Sequence, residues 1–576
     1  MHTVETVLLV LLLGALTGIA ARYLRAIPLP LIQIALGAAL SWPQDGLHIA
    51  FDPVLFLALF IPPLLFADGW RIPKREFFAL HRPILLLALG LVLFTVVGLG
   101  ALIHWLIPSM PLTVAFALAA VVSPTDAVAV SAITRNLGMP AKTMHLLEGE
   151  SLLNDASGLV ALKFAVAATL TGLFSWTEVA KEFLWIALGG LGVGALLGWG
   201  FATMRETVTR RVGDVAATQM VLLLVLLPFA AYLLGEHIGV SGILAAVAAG
   251  VTTNLADLRR GEYVAERLQT EGTWTMVESA FNGAVFLLLG LQLPSIVGTT
   301  LAEAGGDWWR PAGQAVLITV ALLGLRWIWL TLGVRGSLWR AHQRGSMTEA
   351  PSPLLTLATT LAGIRGAVTL AGALSIPLLL PDGSAFPGRD LLVFLATGTI
   401  LLTLVAGSIG LPLVLRRLPP AGEPAALREE RGARLAACKA AIAHLGRELP
   451  PAGADPERQA QLQEAVGRLT QDYRKRIDLL EDPATPTTPE AQAESPEAVR
   501  QRRMRYVVEL ELRLKALHVE RNALYAERQA HHINDDSLRA LVAELDMSEL
   551  SLRKRLAVAQ SAAGRVPAAR AADEGH

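Results

Sequence analysis

The chain has 576 residues, 53% of them hydrophobic and 17% charged, with 49 basic against 49 acidic side chains and a mean hydropathy of +0.49. That composition excludes an ordinary soluble protein, and the zero net charge leaves no basic footprint for nucleic acid. The single cysteine, Cys438, excludes a disulfide within the chain and a cysteine-ligated metal.

Apolar runs of about 20 residues suffice to cross ~30 Å of hydrocarbon. They predict thirteen helices, near residues 5–24, 27–43, 52–70, 84–107, 111–134, 144–173, 183–204, 216–235, 238–254, 274–296, 312–334, 353–379 and 390–415. No Lys or Arg precedes the first run, Val7 to Ala21, and no small-residue cleavage site follows it, so it reads as a retained helix rather than a signal peptide. Lys and Arg collect in cytoplasmic loops. Of the basic residues in the loops of this layout, nineteen fall on one side and three, Lys181, Arg310 and Arg389, on the other. The expectation is an N-terminus outside and a C-terminal tail in the cytoplasm. Lys163, Arg326 and Arg365 remain inside predicted spans, where a charge is costly and faces a partner, a cavity or an ion path.

Residues 421–576 hold 24 of the basic and 25 of the acidic residues, so the chain is expected to divide into a transmembrane domain, 1–420, and a soluble helical tail, 421–576. In the tail, Leu462, Val466, Leu469, Tyr473, Ile477 and Leu480 recur at helical spacing, as do Val507, Leu510, Leu514, Leu517 and Leu524. Residues 482–497 between them read as a linker. The tail is either a solvated helical bundle or a regulatory, dimer-forming domain.

Chemistry concentrates in three spans. The fifth contains Ser123-Pro124-Thr125-Asp126. Proline lacks an N–H and clashes with the carbonyl four residues back, which frees backbone oxygens. Irregular backbone at membrane depth is tolerated where it is buried in protein or lines a wet cavity. A hydroxyl and a carboxylate just after the break suit a hard cation such as Na⁺; the bland alternative is a kink with Thr125 or Asp126 as N-cap. The sixth span contains Glu148-Gly149-Glu150-Ser151-Leu152-Leu153-Asn154-Asp155, in which four-residue spacing stacks Ser151 under Asp155 and Glu150 under Asn154. A lone carboxylate at mid-span, Asp155, is kept ionised by a cation or neutralised by a proton, which is what an exchanger needs. The twelfth contains Gly363-Ile364-Arg365-Gly366-Ala367, then Gly372 and Pro377. Arg365 needs a carboxylate, and Glu150 is the expected partner in a structural ion pair. Two interrupted helices running in opposite directions point to inverted repeats around a midplane site, hence to alternating access rather than a pore. Asp68, after Pro62-Pro63, reads as a lining of the inner funnel or as an interfacial helix-end charge. Lys163 is read as snorkelling outward, and Glu278, Asn282 and Arg326 as a second internal network.

Together these segments resemble the sodium/proton exchangers of the NhaP and NHE type, over residues 5–417. The likeness rests on Pro62-Pro63-Leu64-Leu65-Phe66, Ser123-Pro124-Thr125-Asp126, Gly149-Glu150-Ser151-Leu152-Leu153-Asn154-Asp155, Ser241-Gly242-Ile243-Leu244-Ala245 and Gly363-Ile364-Arg365-Gly366-Ala367, in that order. It implies that Asp155 is the ion- and proton-binding carboxylate, with Ser151, Thr125, Asp126 and Asn154 around it and Na⁺ held by Asp155, Thr125, Asp126 and Ser151. It implies a Glu150–Arg365 pair, crossing fifth and twelfth spans, a dimerisation part and a moving six-helix core, and homodimers in the inner (plasma) membrane. Asn154, where a related electrogenic branch has a second aspartate, implies electroneutral exchange. K⁺/H⁺ exchange is the alternative of the same fold. No cofactor is implied. An intramembrane hydrolase or a K⁺-type channel finds no support, since neither the hydrolase motifs nor a Thr-Val-Gly-Tyr-Gly filter occurs.

Overall fold

Proline and glycine interrupt the apolar helices of this chain at a few places, and those places organise the molecule. The computed structural model describes all residues except 1, 22, 24–26, 43–52, 73, 135–136, 138, 172–175, 213–216, 258–263, 304–306, 344–351, 381, 419–424, 448–455, 481–495, 531–534 and 565–576. Several loop basic residues used for orientation, among them Arg22, Arg25, Arg135, Arg259, Arg260 and Arg344, and most of the predicted linker lie outside the described residues. Two compact units result, Met1–Ala421 and Gly422–His576.

The first unit is helical, apart from an isolated bridge between Leu379 and Ala385 among the described residues. Its helices are α1 (His2–Ala20), α2 (Leu29–Ser41), α3 (Pro53–Arg71), α4 (Lys74–Ala79), and α5 (His81–Leu85), which runs through a π-helical stretch (Leu86–Leu91) into α6 (Val92–Leu106). There follow α7 (Leu112–Val121), α8 (Ala127–Thr134), α9 (Ala141–Thr171), α10 (Trp176–Val212), α11 (Ala217–Ile238), α12 (Gly242–Asp257), α13 (Val264–Glu303) and α14 (Trp309–Gln343). The unit ends with α15 (Pro353–Leu361), α16 (Ala367–Leu374) and α17 (Arg389–Leu415). Each of the thirteen expected spans coincides with a helix or a broken pair. Among the described residues, seven segments are long and apolar enough to cross a membrane, with four shorter apolar helices beside them. α10, α13 and α14 outrun their predicted spans at both ends, because hydropathy marks only the stretch inside hydrocarbon while the helix continues into polar sequence.

These helices are apolar on exposed as well as buried faces: Leu188, Leu196 and Trp199 of α10, Leu222 and Leu233 of α11 and Val320 of α14 are all more than half exposed. All-round hydrophobicity on a helix surface is the mark of a lipid environment, where backbone groups must be satisfied within the segment. The chain is a multi-pass membrane protein.

Packing partners sort into two bundles. In one, α1 and α2 pack on α13, while α3, α10 and α11 pack on α12. In the other, α6 packs on α7 and α14, α7 on α9, and α17 on α14, α15 and α16. The bundles meet where α3 touches α9 and α16, and α13 touches α16 and α17.

Small residues set the closest approaches of the first bundle. Gly190, Gly194 and Gly198 share one face of α10 and lie against Ser241, Ala245 and Ala249 of α12. A Cβ on Gly194 would lie 2.0 Å from the Ala245 carbonyl oxygen. The backbones therefore touch, and dispersion between them replaces the hydrophobic drive that lipid removes.

Among the described residues the tail unit, taken by itself, has four helices: Ala425–Arg447, Pro456–Leu480, Pro496–Gln529 and Asp535–Gly564. Leu479, Tyr506, Val507, Leu510, Ala559 and Ala562 form its small core. Arg503 is buried and donates to the carbonyls of Ala562 (3.0 Å) and Asp478 (2.7 Å). Of the apolar positions read from the sequence, Ile477, Val507 and Leu510 are buried, whereas Leu469 is 49% exposed.

The seam between α10 and α12 is directly testable. Gly194→Ala forces the two backbones apart and should cost about 1–3 kcal/mol, seen as a lower melting temperature of the purified protein. Gly200→Ala on the same helix, where an added Cβ meets nothing within 4 Å, should leave it unchanged or slightly raised.

Candidate cation-binding site

Two breaks cross at the centre of the second bundle. α7 ends at Val121 and α8 begins at Ala127, with Pro124 between; α15 ends at Leu361 and α16 begins at Ala367, with Gly363 and Gly366 between. The unwound segments hold each other: the Asp126 N–H donates to the Ile364 carbonyl (2.8 Å), and Arg365 Nε donates to the Val122 carbonyl (2.7 Å). Gly366 is required by proximity, since a Cβ there would sit 1.9 Å from Asp126 Oδ2.

Each broken helix leaves a partly negative C-terminus and a partly positive N-terminus in the protein interior. Arg365 serves the negative ends, donating to Val122 and, through Nη1, to Gly363. Asp126 serves the positive ends. Its Oδ1 accepts from the N–H groups of Val128 (2.9 Å) and Ala129 (3.0 Å), capping α8, and its Oδ2 lies against Gly366 at the start of α16. The kink-and-cap reading of Asp126 is thus correct, and it leaves the second oxygen on the cavity side.

α9 braces the first break. Ser151 Oγ donates to the Thr125 carbonyl (2.8 Å) and accepts from the Ala127 N–H (3.2 Å), which leaves one lone pair. Asn154 Nδ2 donates to Thr125 Oγ1 (2.8 Å). A cleft of about 50 Å³ opens beside this brace, enough for a few water-sized occupants. Thr125, Asp126, Ser151 and Asp155 line it from the second bundle, with Asp68, Glu278 and Asn282 from the first. Asn154 does not line it; its amide stands behind Thr125. Asp155 is buried, at 7% exposure, and makes no hydrogen bond or ion pair with the described residues.

The expected Glu150–Arg365 pair is corrected by the structure. Glu150 is held by Arg326, with Nη2 to Oε2 at 2.8 Å and Nη1 on Oε1, and Arg326 Nε also reaches the Thr359 carbonyl (3.2 Å). The reason is local. Arg365 sits in a break whose freed carbonyls satisfy it, whereas Arg326 is buried in the middle of an intact helix and needs a carboxylate. The expected Glu278–Asn282–Arg326 network is likewise corrected, because Glu278 pairs with Arg71, which also donates to Thr275 Oγ1 (3.2 Å). Lys163, read as snorkelling outward, reaches Glu236 of α11 at 3.3 Å. Arg71 and Glu236 were invisible to sequence reasoning because no spacing links residues 207 or 73 positions apart; the only signal was a carboxylate in a span lacking a visible partner.

The transmembrane sodium/hydrogen exchanger family profile matches residues 7–417 of this chain. The chain belongs to the sodium/hydrogen exchanger family. It is 45% identical over 560 residues to the uncharacterized Na(+)/H(+) exchanger YjcE of Escherichia coli (strain K12), covering 95% of this chain and 98% of that one. It is 45% identical over 411 residues to the sodium, potassium, lithium and rubidium/H(+) antiporter of Bacillus subtilis (strain 168), covering 71% of this chain and 61% of that one. In fold it is similar to the sodium proton antiporter MjNhaP1 from Methanocaldococcus jannaschii, with a TM-score of 0.56 at 19% identity over 73% of this chain and 99% of that one. This chain is therefore a cation/proton antiporter, a transporter.

The corrected pairing yields a sharp test. Glu150→Gln and Arg326→Gln each leave a buried charge unpaired and should cost about 3–5 kcal/mol of stability, read as loss of monodisperse protein and of melting temperature. Combining them should cost less than the sum. The coupling of Glu150 with Arg326 should exceed that with Arg365; the reverse order would restore the pairing read from the sequence.

Proposed function

We propose that this exchanger carries Na⁺ or Li⁺ against H⁺, electroneutrally, with Asp155 as the one site that holds either ion. The observation that carries this reading is the charge tally at the crossing. Asp126 and Arg365 are spent on helix ends and Glu150 on Arg326, so Asp155 is left at the crossing as a buried carboxylate without a partner among the described residues, facing the cleft. An unpaired buried carboxylate must acquire a positive charge or a proton. A cation there finds oxygens of Asp155 and Thr125, the free lone pair of Ser151 and Oδ2 of Asp126. Asp68, on the opposite wall, draws cations into the cleft. Asn154 is neutral and tied to Thr125, so one carboxylate exchanges one positive charge for one proton.

The cleft lies between the two bundles, which suits alternating access: the bundle of α5–α9 and α14–α17 moves as a core against α1–α3 and α10–α13, and the latter is the surface through which two copies pair. The N-terminus lies outside, the tail lies in the cytoplasm of a cell whose inner membrane holds the protein, and the tail tunes activity. A second reading, K⁺/H⁺ exchange, is favoured by the potassium activity of the Bacillus relative. Dequenching of a pH dye in everted vesicles after separate additions of Na⁺, Li⁺ and K⁺ separates the two.

Asp155→Asn removes the titratable charge at nearly constant volume, so exchange in proteoliposomes should vanish while the protein stays folded. Retained Na⁺-dependent proton flux refutes the assignment. Competition gives an independent check. If Asp155 binds one ion or the other, each unit of acidity below its pKa should raise the apparent KM for the cation about tenfold. Rates should fall in acid through proton competition and in alkali through lack of protons. Initial rates on a grid of pH and Na⁺ concentration measure this, and a KM that stays flat from about pH 5 to about pH 8 sinks the shared site even if Asp155 is essential.

A further inference from the structure

The geometry points to Thr369 as a further cation ligand, supplied by the second broken helix to the site of Asp155. Thr369 is 1% exposed, its Oγ1 has no hydrogen-bond partner among the described residues, and its side chain lines the cleft that holds Asp155, Thr125 and Ser151. A buried hydroxyl left unpaired is unfavourable, and in a native fold it calls for an occupant such as an ion or water.

The reason this hydroxyl is unpaired is topological. A threonine inside a helix usually bonds its hydroxyl to the carbonyl four residues back. Thr359 does so to Leu355, Thr360 to Thr356 and Thr399 to Leu395. Thr369 stands third in α16, and the residue four positions back, Arg365, belongs to the unwound segment. No helical carbonyl stands there, so the hydroxyl is free to turn toward the cleft. Of the other buried side-chain oxygens without a partner among the described residues, Ser123 Oγ, Asn154 Oδ1, Thr397 Oγ1 and, in the tail unit, the Tyr506 hydroxyl belong to residues that do not line the cleft. Glu278 Oε1 does, from the opposite wall, on a carboxylate already tied to Arg71. Thr369 is thus the cleft hydroxyl with nothing else to do. Hard cations take oxygen ligands, and a hydroxyl lone pair from α16 would complement the carbonyl and carboxylate side contributed by α8 and α9. A site fed by both broken helices ties cation binding to their crossing.

This inference rests on the proposed role of Asp155. The test measures initial rates of proton flux driven by Na⁺, Li⁺ and K⁺ in proteoliposomes of the full chain, for wild type, Thr369→Val, Thr369→Ala, Thr369→Ser and Asp155→Asn. Thr369→Val keeps the shape and removes the hydroxyl; apparent KM should rise about threefold to tenfold, by unequal factors among the transported cations, with kcat changed less. Thr369→Ser, which restores a hydroxyl, should stay within about twofold of wild type. Thr369→Ala carries the same expectation as valine and decides the matter where valine does not pack. Wild-type KM for every transported cation in the folded valine or alanine variant overturns the assignment, as does a serine variant as impaired as alanine. Exchange retained by Asp155→Asn overturns the underlying reading, whereas an inactive Asp155→Asn beside an unaltered Thr369→Val overturns this inference alone.

Discussion

Everything at the centre of this molecule follows from two helices that stop and restart inside the membrane-spanning unit at the same depth. A break in hydrocarbon strands carbonyls on one side and N–H groups on the other, each costing several kcal/mol if unmet. Here the two breaks meet part of that demand mutually, through Asp126 N–H to Ile364 and Arg365 to Val122, and meet the rest with one acid and one base. The opposed dipoles require both signs of charge, and the sequence provides Asp126 and Arg365 within the breaks themselves. Removing either would leave unmet the helix ends that it serves, and would leave the other charge without its counterpart.

That closure gives Asp155 its meaning. A third charge near the crossing has no structural debt to discharge, so its ionisation is free to follow the cation and proton concentrations around it. Ser151, one turn before it on α9, and Asn154, its immediate neighbour, hold the break in shape through the carbonyl and hydroxyl of Thr125. The motif from Glu150 to Asp155 therefore does three jobs on successive residues. Glu150 anchors α14, Ser151 and Asn154 brace α7–α8, and Asp155 faces the cleft.

Legibility in the sequence tracked the range of the interaction. The spans, the two breaks and the stacking of Ser151 under Asp155 come from local periodicity and from single prolines and glycines, and they are where the sequence puts them. Partner choice among buried charges is a different problem. The sequence pairs Glu150 with Arg365 and groups Arg326 with Glu278 and Asn282, and what reassigns Glu150 to Arg326 is whether the surrounding backbone is wound: an unwound segment offers carbonyls to a guanidinium and an intact helix does not. The same distinction hid Thr369, whose third position in a restarted helix matters only once the start of α16 is known. The tail was harder, because a solvated helix tolerates apolar residues on its exposed side, as Leu469 shows.

The strengths of the ion pairs are ordered in a way that suits motion of one bundle against the other. Glu150–Arg326 is fully buried and joins α9 to α14 within one bundle, so breaking it is costly and the bundle behaves as a body. Arg71–Glu278 joins α3 to α13 within the other bundle, at the rim of the cleft. Among the described residues, Lys163–Glu236 bridges the two, from α9 to α11, and its side chains are 56% and 37% exposed. An exposed pair is worth about 0–1 kcal/mol, little enough to be made and lost in every cycle. Proposed alternating access asks for this order, with rigid pairs inside each bundle and a weak one across the moving boundary. A buried Lys163–Glu236 pair would have locked the cleft in one orientation.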